Sequence, residues 1–425
     1  MTARETTHAR DPVTERVEDV LTRFVGWLNS YGETSWDHQS YFAGPYGGWA
    51  KSLYYRWKLP GTIAVAPMIL SEALLPAARR LFHRRIRFPI ADAHYAMGFA
   101  FLSRAEASST HLDRAVRFLA ELKRSRCPGF EEYCWGYPFD WVTRNGVMKR
   151  GTPLITSTPY AYEAFLQVHQ LDPRDEWLDI LASIVRHACR DIKDFPAPGS
   201  ERARTCSYNP FDTGGVVNAS AYRAAMLASA SRLFDNEEYW AIAEGNLWFV
   251  LESQNKDGSW PYARDGVRDF VDHFHTCFVM KALAKVHSLT GHAETLATLD
   301  RGVRYYLANL FDADGLPRPF ARAPRLTVYK RELYDCAECI NLCLLLRDRF
   351  PELHEKLQTV VAGILKDWIK PDGSFRSRKL ILGWDNVPMH RWAQSQMFRS
   401  LAFYLREFGG VHVSAPDLSA PPSVL

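Results

Sequence analysis

Two kinds of apolar pattern alternate along this chain. In the first, apolar residues fall on one stripe at helical spacing with polar residues opposite. Trp240, Ala243, Leu247, Trp248 and Leu251 form one such stripe, and Leu299, Val303, Tyr306 and Leu310 a second. Leu353, Leu357, Val360, Val361, Ile364 and Trp368 form a third. Each predicts a helix with one wet face. In the second pattern Ala, Cys, Met and Leu occupy most of the circumference, over 272–289, 333–350 and 391–408. A helix apolar nearly all round is buried. The repeating unit is an outer helix, a long loop, an inner helix and a short turn.

Punctuation supports the repeat. Asp257-Gly258, Asp314-Gly315 and Asp372-Gly373 follow the three wet stripes at near-equal intervals, a signature of repeated supersecondary units. Glycine tolerates the left-handed conformation a helix stop often needs, so each Asp-Gly is expected to end an outer helix. Upstream, outer runs at 13–30, 111–124 and 176–194 alternate with inner runs at 90–104, 159–171 and 218–234. Six outer–inner pairs predict an all-α fold, an (α/α)6 toroid with the inner helices as its barrel. An open helical solenoid fits less well, because the repeats stop at six and the long loops all fall between outer and inner helix. The expected organisation is a disordered tail over 1–12, one toroid domain over 13–410 with an insertion near 36–88, and a flexible Pro/Ser-rich tail over 411–425.

Composition narrows the class. With 425 residues and 47% hydrophobic content, a large core can be buried. The net charge of +4 arises from 52 basic and 48 acidic residues, without the concentrated basic footprint of a nucleic-acid binder. Residues 1–20 lack an apolar core segment, so no secretory signal is expected. The most lipid-like run, 63–75, contains Glu72 and is too short to span a bilayer. The chain reads as soluble and cytoplasmic, and its eight cysteines as free thiols rather than a disulfide framework.

In a toroid of this kind the long loops and the inner-helix N-termini converge on one mouth. The loops that reach it pair aromatics with carboxylates: Trp135 near Asp140, Asn209 before Asp212, Trp260 before Asp272, and Trp384 beside Asp385. Aromatic plates suit the apolar C–H faces of sugar rings, and paired carboxylates suit acid–base work on a glycosidic bond. Asp272, His273 and His275 open one inner helix, and a histidine serves as acid or base near neutral pH. Tyr334, Asp335 and Glu338 open another, and a like-charge pair in a cleft raises one pKa. Each residue also has a structural reading: packing for the tryptophans, an N-cap for Asp272, and a cap with a dipole-stabilising acid for Asp335 and Glu338. Cys336, Cys339 and Cys343 form a stripe best explained as small residues lining a tight barrel. Neither a metal nor a cofactor is expected.

Two resemblances follow from the residues. The run Gly245-Asn246-Leu247-Trp248-Phe249, with Gln254-Asn255-Lys256-Asp257-Gly258-Ser259-Trp260, resembles the QW repeat of terpenoid cyclases, whose fold is also a helical toroid. Their Asp-x-Asp-Asp acid motif is absent, since Asp312-Ala313-Asp314-Gly315 does not match it. A wider resemblance runs through WGYPFD from Trp135, TSTPYAYE from Thr156, NPFDTGGVVNAS from Asn209 and DHFHTCFVMKALA from Asp272. Together these resemble the VpsJ-like family of bacterial exopolysaccharide biosynthesis, with a six-hairpin-glycosidase-like fold. The resemblance implies a role in polysaccharide assembly or modification and brings no catalytic residues.

The sequence therefore predicts a carbohydrate-active enzyme: a hydrolase, a lyase or a uronate epimerase. Asp272, His273, His275, Tyr334, Asp335 and Glu338 are the candidate acid–base groups. Trp135, Asp140, Asn209, Asp212, Trp260, Trp384 and Asp385 are the candidate substrate contacts, and Arg391 is placed to pair with an acidic sugar. The expected partner is an oligo- or polysaccharide, lipid-linked in one version. A terpenoid-cyclase-like enzyme and a non-catalytic glycan-binding protein are the alternatives. Finally, Ile69, Leu70, Ala73 and Leu74 stand before Arg79, Arg80, Arg84, Arg85 and Arg87. An apolar face beside a basic cluster suits peripheral contact with an anionic membrane through 63–88. Its structural reading is a core segment with a solvated basic face.

Overall fold

A computed structural model describes residues 11–144, 146–324 and 327–409. Most of the two expected tails lies outside the described residues; Pro12, assigned above to the first, opens a helix. Outer helix α1 (Pro12–Tyr31) leads into an insertion of α2 (Ser40–Ala43), α3 (Pro45–Arg56), α4 (Lys58–Leu74) and α5 (Arg79–Phe82). Inner helix α6 (Pro89–Glu106) completes the first pair. Outer α7 (Ser109–Arg124) precedes inner α8 (Thr158–His169), and outer α9 (Asp175–Arg190) precedes inner α10 (Val217–Phe234). The series continues with α11 (Glu237–Glu252) and α12 (His273–Thr290), α13 (Ala293–Asn309) and α14 (Leu333–Leu346), and α15 (Pro351–Asp367) and α16 (Ser395–Phe408).

The two helix types differ in burial as their patterns require. On α7 only Ala115, Phe118, Leu119 and Leu122 are buried. On α6 every residue from Ala91 to Ser103 is buried, so small side chains are needed wherever neighbours press in. A Cβ on Gly98 would stand 2.6 Å from the Phe398 ring of α16. Helix α16 packs on both α14 and α6, and the inner ring closes.

The Asp-Gly turns close the outer ring, though not in the expected way. Helices α11, α13 and α15 end at Glu252, Asn309 and Asp367, several residues before their Asp-Gly pairs. The pairs instead form tight turns beyond the helix ends. In each, the Asp Oδ1 accepts the N–H two residues on: Ser259 at 2.9 Å, Leu316 at 3.1 Å and Ser374 at 3.0 Å, the asparagine/aspartate turn chemistry that competes with helix. The glycines have φ of +93°, +77° and +87°, and each lies against the next outer helix. Added Cβ atoms would meet Arg301 O at 2.4 Å, the Thr359 side chain at 2.9 Å and Arg23 O at 2.7 Å. The third contact is with α1, so the last unit docks on the first. The chain is an (α/α)6 toroid.

Short antiparallel ladders stitch the loops of the rim. Val271–Asp272 pairs with Phe320–Arg322, and Tyr329–Glu332 pairs with Arg378–Leu380, joining successive loops. The helical periodicities carry no trace of these strands. The predicted last inner helix begins as a π-helical turn, His390–Gln394, a device that re-aims side chains locally. All eight cysteines are free. Cys336, Cys339 and Cys343 are buried on α14, and no group of His, Cys, Asp or Glu among the described residues could hold a metal ion.

Candidate active site

The head of α12 carries a bonded acid–imidazole pair. Asp272 is the N-cap: its Oδ1 accepts the backbone N–H of His275 at 3.0 Å. Its Oδ2 lies 2.6 Å from His275 Nδ1. A carboxylate only accepts, so Nδ1 carries a proton, and in the neutral ring Nε2 is the nitrogen with the lone pair. Nε2 makes no protein hydrogen bond among the described residues, and the His275 side chain is 21% exposed. The ring sits among Tyr262, Phe274 and Phe278, at centroid distances of 4.7, 4.3 and 5.6 Å. Asp272 is thus both the N-cap of α12 and the hydrogen-bond partner of the His275 ring.

Around this pair stands a ring of tyrosines, of which the sequence pattern singled out Tyr334 alone. Tyr137, Tyr208 and Tyr262 come from loops, and Tyr160, Tyr222 and Tyr334 from inner helices. The Tyr160 and Tyr222 hydroxyls are 2.5 Å apart, and the Thr156 hydroxyl donates to the Tyr208 oxygen at 3.1 Å. Tyr334 shares Phe274 and Phe278 with His275, at 5.0 and 5.9 Å. Burial pushes the Tyr334 phenol well above its ordinary range, with Tyr160 and Glu338 adding to the shift; Tyr262 is pushed up to about 12, mainly by burial. These phenols keep their protons. Orphaned polar atoms stand on inner helices beside them: His94 Nδ1, Asn218 Oδ1, Trp392 Nε1 and Gln396 Oε1 are buried without protein partners, with the His94 ring against Tyr160 and the Trp392 ring against Tyr334. Such groups are costly unless water or a ligand hydroxyl satisfies them. The lining is aromatic but not dry.

Most of the remaining candidates are engaged elsewhere. Trp135 and Trp260 are buried, with Nε1 donating to Leu122 O at 2.9 Å and Val250 O at 3.0 Å. Trp260 is a wedge between outer helices; a Cβ on Gly302 of α13 would be 2.7 Å from its ring. Neither ring offers a face to a sugar. Trp384 stacks edge-on against Trp368 at 4.9 Å, under Arg376 and Lys379. Asp140 accepts from Lys149 and from Arg150 N, both at 2.9 Å, on an exposed hairpin. Asp212 accepts three backbone N–H groups, those of Tyr208, Asn209 and Gly214, and Asn209 Oδ1 accepts that of Phe211. Both build the loop.

His273 is fully buried, with Nε2 2.8 Å from the Tyr306 hydroxyl and Nδ1 3.1 Å from Leu310 O. As expected from their offset of two, His273 and His275 do not share a task. Glu338 pairs with Lys281 and, at 2.9 Å, with Arg399 on the barrel axis. Asp335 is buried with neither oxygen hydrogen-bonded; burial, with Glu332 and Asp272 nearby, raises it well above the carboxylate range, so it stays neutral. Asp335 and Glu338 therefore do not form a pair of ionised carboxylates. A pocket lined by Tyr160, Glu163, Tyr222, Phe278, Lys281 and Lys285 adjoins this cluster.

The insertion completes the mouth. Arg391, expected to meet an acidic sugar, is instead held by Asp37 through Nε at 3.0 Å and Nη2 at 2.6 Å. Its guanidinium lies 4.8 Å from the rings of both Tyr137 and Trp392. His38 packs edge-on to Trp392 at 4.8 Å, and burial with Arg378, Arg391 and Arg79 keeps it neutral. Asp385 is likewise internal: Arg79 donates to it at 2.8 Å and to Glu72 at 3.0 Å through Nε. Partners more than 300 residues apart are invisible to local pattern.

No protein-family profile matches the chain, and no curated protein matches it by sequence. The VpsJ-like resemblance therefore rests on the motif residues alone. Solved structures are similar in fold. A cellobiose 2-epimerase from Bacillus thermoamylovorans B4167 superposes with a TM-score of 0.58 at 10% identity, over 76% of this chain and 88% of that one. A polysaccharide lyase superposes with 0.57 at 10% identity, over 94% and 98%. An unsaturated glucuronyl hydrolase, responsible for the degradation of glycosaminoglycan, from Bacillus sp. GL1 gives 0.61 at 11% identity, over 93% and 98%. At these identities the likeness is one of fold: the chain shares the (α/α)6 toroid with enzymes that act on carbohydrates.

Proposed function

We propose that the protein is a proton-transfer enzyme of saccharides, an epimerase, isomerase or lyase rather than a hydrolase. The observation that carries this is the Asp272–His275 pair, a partly exposed imidazole held through Nδ1 and set against Tyr262. Nε2 takes a proton from a sugar carbon next to a carbonyl or carboxylate. The C–H electron pair passes onto that oxygen as an enolate, and Asp272 stabilises the imidazolium. The Tyr334 phenol donates to the oxygen that gains charge. Rotation of the enolate about its flanking C–C bond presents its other face to the same imidazolium, and return of the proton there gives an epimer. With an aldehyde substrate, delivery to the former carbonyl carbon, while the adjacent hydroxyl passes its proton to the former carbonyl oxygen, gives a ketose isomer. Expulsion of an oxygen substituent from the β-carbon, which leaves as an alcohol after protonation, gives the unsaturated product of a lyase. Hydrolysis pairs a protonated carboxyl with an opposed carboxylate about 5–10 Å away; a neutral Asp335 suits the first part, but Asp140, Asp212, Glu338 and Asp385 are each held by protein donors and leave it no free partner. The substrate we propose is an oligosaccharide of bacterial exopolysaccharide assembly or modification, in keeping with the motif resemblance and with the epimerase and lyase that share the fold. The phenol hydroxyls and orphaned amide and imidazole atoms weigh against an isoprenoid substrate.

Incubation in D2O with a panel of reducing disaccharides and uronate oligosaccharides tests this reading. NMR should show deuterium entering at carbon for one class. Hydrolysis products without carbon-bound deuterium would refute it, and binding without either would make the protein a lectin-like module.

A further inference from the structure

Segment 38–91 carries eight lysines and arginines and a single carboxylate, Glu72. Glu72 is buried against Arg79, so the surface of this segment shows no carboxylate. The basic cluster is smaller than its sequence suggests. Arg79 is internal, Arg85 donates to Tyr31 O and Thr34 O, and Arg87 pairs with Glu33 and Asp92. Arg56, Lys58, Arg80 and Arg84 are exposed.

Helix α4 is apolar on two opposite faces and buries only one. Gly61, Ala64, Met68 and Glu72 turn inward. Gly61 sits so close to α3 that a Cβ would meet the Tyr54 Cα at 2.1 Å. On the other face Leu59, Ile63, Leu70 and Leu74, at helical spacing, are all more than half exposed. Leu75, Leu81 and Phe82, past a 110° bend at the end of α4, and Trp49 of α3 and Trp57 before α4 are each also more than half exposed. Arg56 and Lys58 stand at one end of the stripe, Arg80 and Arg84 at the other. No single helix among the described residues is long and apolar enough to cross a membrane.

We propose that this face of the insertion docks the protein on an anionic lipid bilayer, with the aliphatic stripe in the acyl boundary and the four cations among headgroup phosphates. Large aliphatic residues with flanking tryptophans and cations are the chemistry of an in-plane interfacial helix. Protein-interface hot spots are instead poor in leucine. A second copy would set two carboxylate-free cationic surfaces face to face. The insertion is fixed to the toroid through Arg79–Asp385 and Arg391–Asp37, and Lys51 lies 5.1 Å from the Trp141 ring of the rim. The bilayer would therefore lie beside the mouth, where a lipid-linked saccharide is presented. The docking stands independently of the glycan reading, because vesicle binding needs no turnover.

Co-sedimentation of the full chain with vesicles of equal parts phosphatidylglycerol and phosphatidylcholine tests the proposal. Wild type should bind, and bind less as salt rises. The variant Ile63→Ser/Leu70→Ser/Leu74→Ser, altered only at exposed positions and checked for an unchanged Tm, should bind about tenfold or more weakly. Arg80→Gln/Arg84→Gln should lose about fivefold per cation on anionic vesicles and nothing on pure phosphatidylcholine. Absence of wild-type binding at low salt, or full binding by the serine variant, would overturn it. So would a wild-type dimer that the serine variant converts to monomer, which would assign the face to a second copy.

Discussion

Replacing Asp272 by Asn separates the two tasks this residue performs. Asparagine caps a helix about as well as aspartate, so its single oxygen can keep the 3.0 Å bond to His275 N. Its amide NH2 then faces Nδ1 where Oδ2 now stands at 2.6 Å. A donor there stabilises the tautomer with the proton on Nε2, and the base is lost. The expected change in stability is below about 1 kcal/mol, the usual worth of a cap. The expected loss in kcat is much larger; the same exchange in a Ser-His-Asp triad costs about 10⁴-fold for the same tautomeric reason. The tautomer can be read without substrate, from the nitrogen chemical shifts of His275 in labelled protein. Asp272→Ala, by contrast, should lose both cap and orientation, lowering Tm as well as activity. An Asp272→Asn enzyme that exchanges substrate protons at the wild-type rate, with His275 still protonated on Nδ1, would refute the reasoning.

Glu338→Gln should cost about 3–5 kcal/mol, because it leaves Lys281 and Arg399 buried without their anion; chemical denaturation measures this. An acid–base residue would instead lose turnover at constant stability. Gly302→Ala should destabilise by about 1–3 kcal/mol through its clash with Trp260, seen as a lower Tm with normal activity per folded molecule. Burial pushes the Asp92 carboxyl up to about 7, against the pull of Arg87. A folded value above the unfolded one means its contribution is full below about pH 4 and is lost as pH rises through about 7. That rise of about three units corresponds to at most about 4 kcal/mol, so Asp92→Asn should flatten the fall in unfolding free energy between acid and neutral pH.

The toroid was legible because a helix declares its burial in its periodicity. The difference between the stripe on α7 and the all-round burial of α6 is written in residues 109–124 and 89–106. The Asp-Gly turns marked the repeat, although they act as docking turns on the next outer helix rather than as helix stops. The candidate site was legible only where helix starts position it, as in the bonded pair of Asp272 and His275. Loop residues carry no periodicity to say which way they face. Trp260 and Tyr262 are two apart in one loop, yet one is a wedge between outer helices and the other lines the mouth. The acids misled for a related reason: Asp212 satisfies its own turn, while Arg79–Asp385 and Arg391–Asp37 join residues that only closure of the ring brings together.

The most direct test is a co-crystal structure with an oligosaccharide from the producing cell's own polysaccharide. The account predicts a sugar ring in the mouth, against Tyr262 and Tyr334, with a carbon bearing an acidic proton about 3–3.5 Å from His275 Nε2. A sugar bound elsewhere, or one whose glycosidic oxygen rather than a carbon faces His275 between two carboxylates, would contradict it.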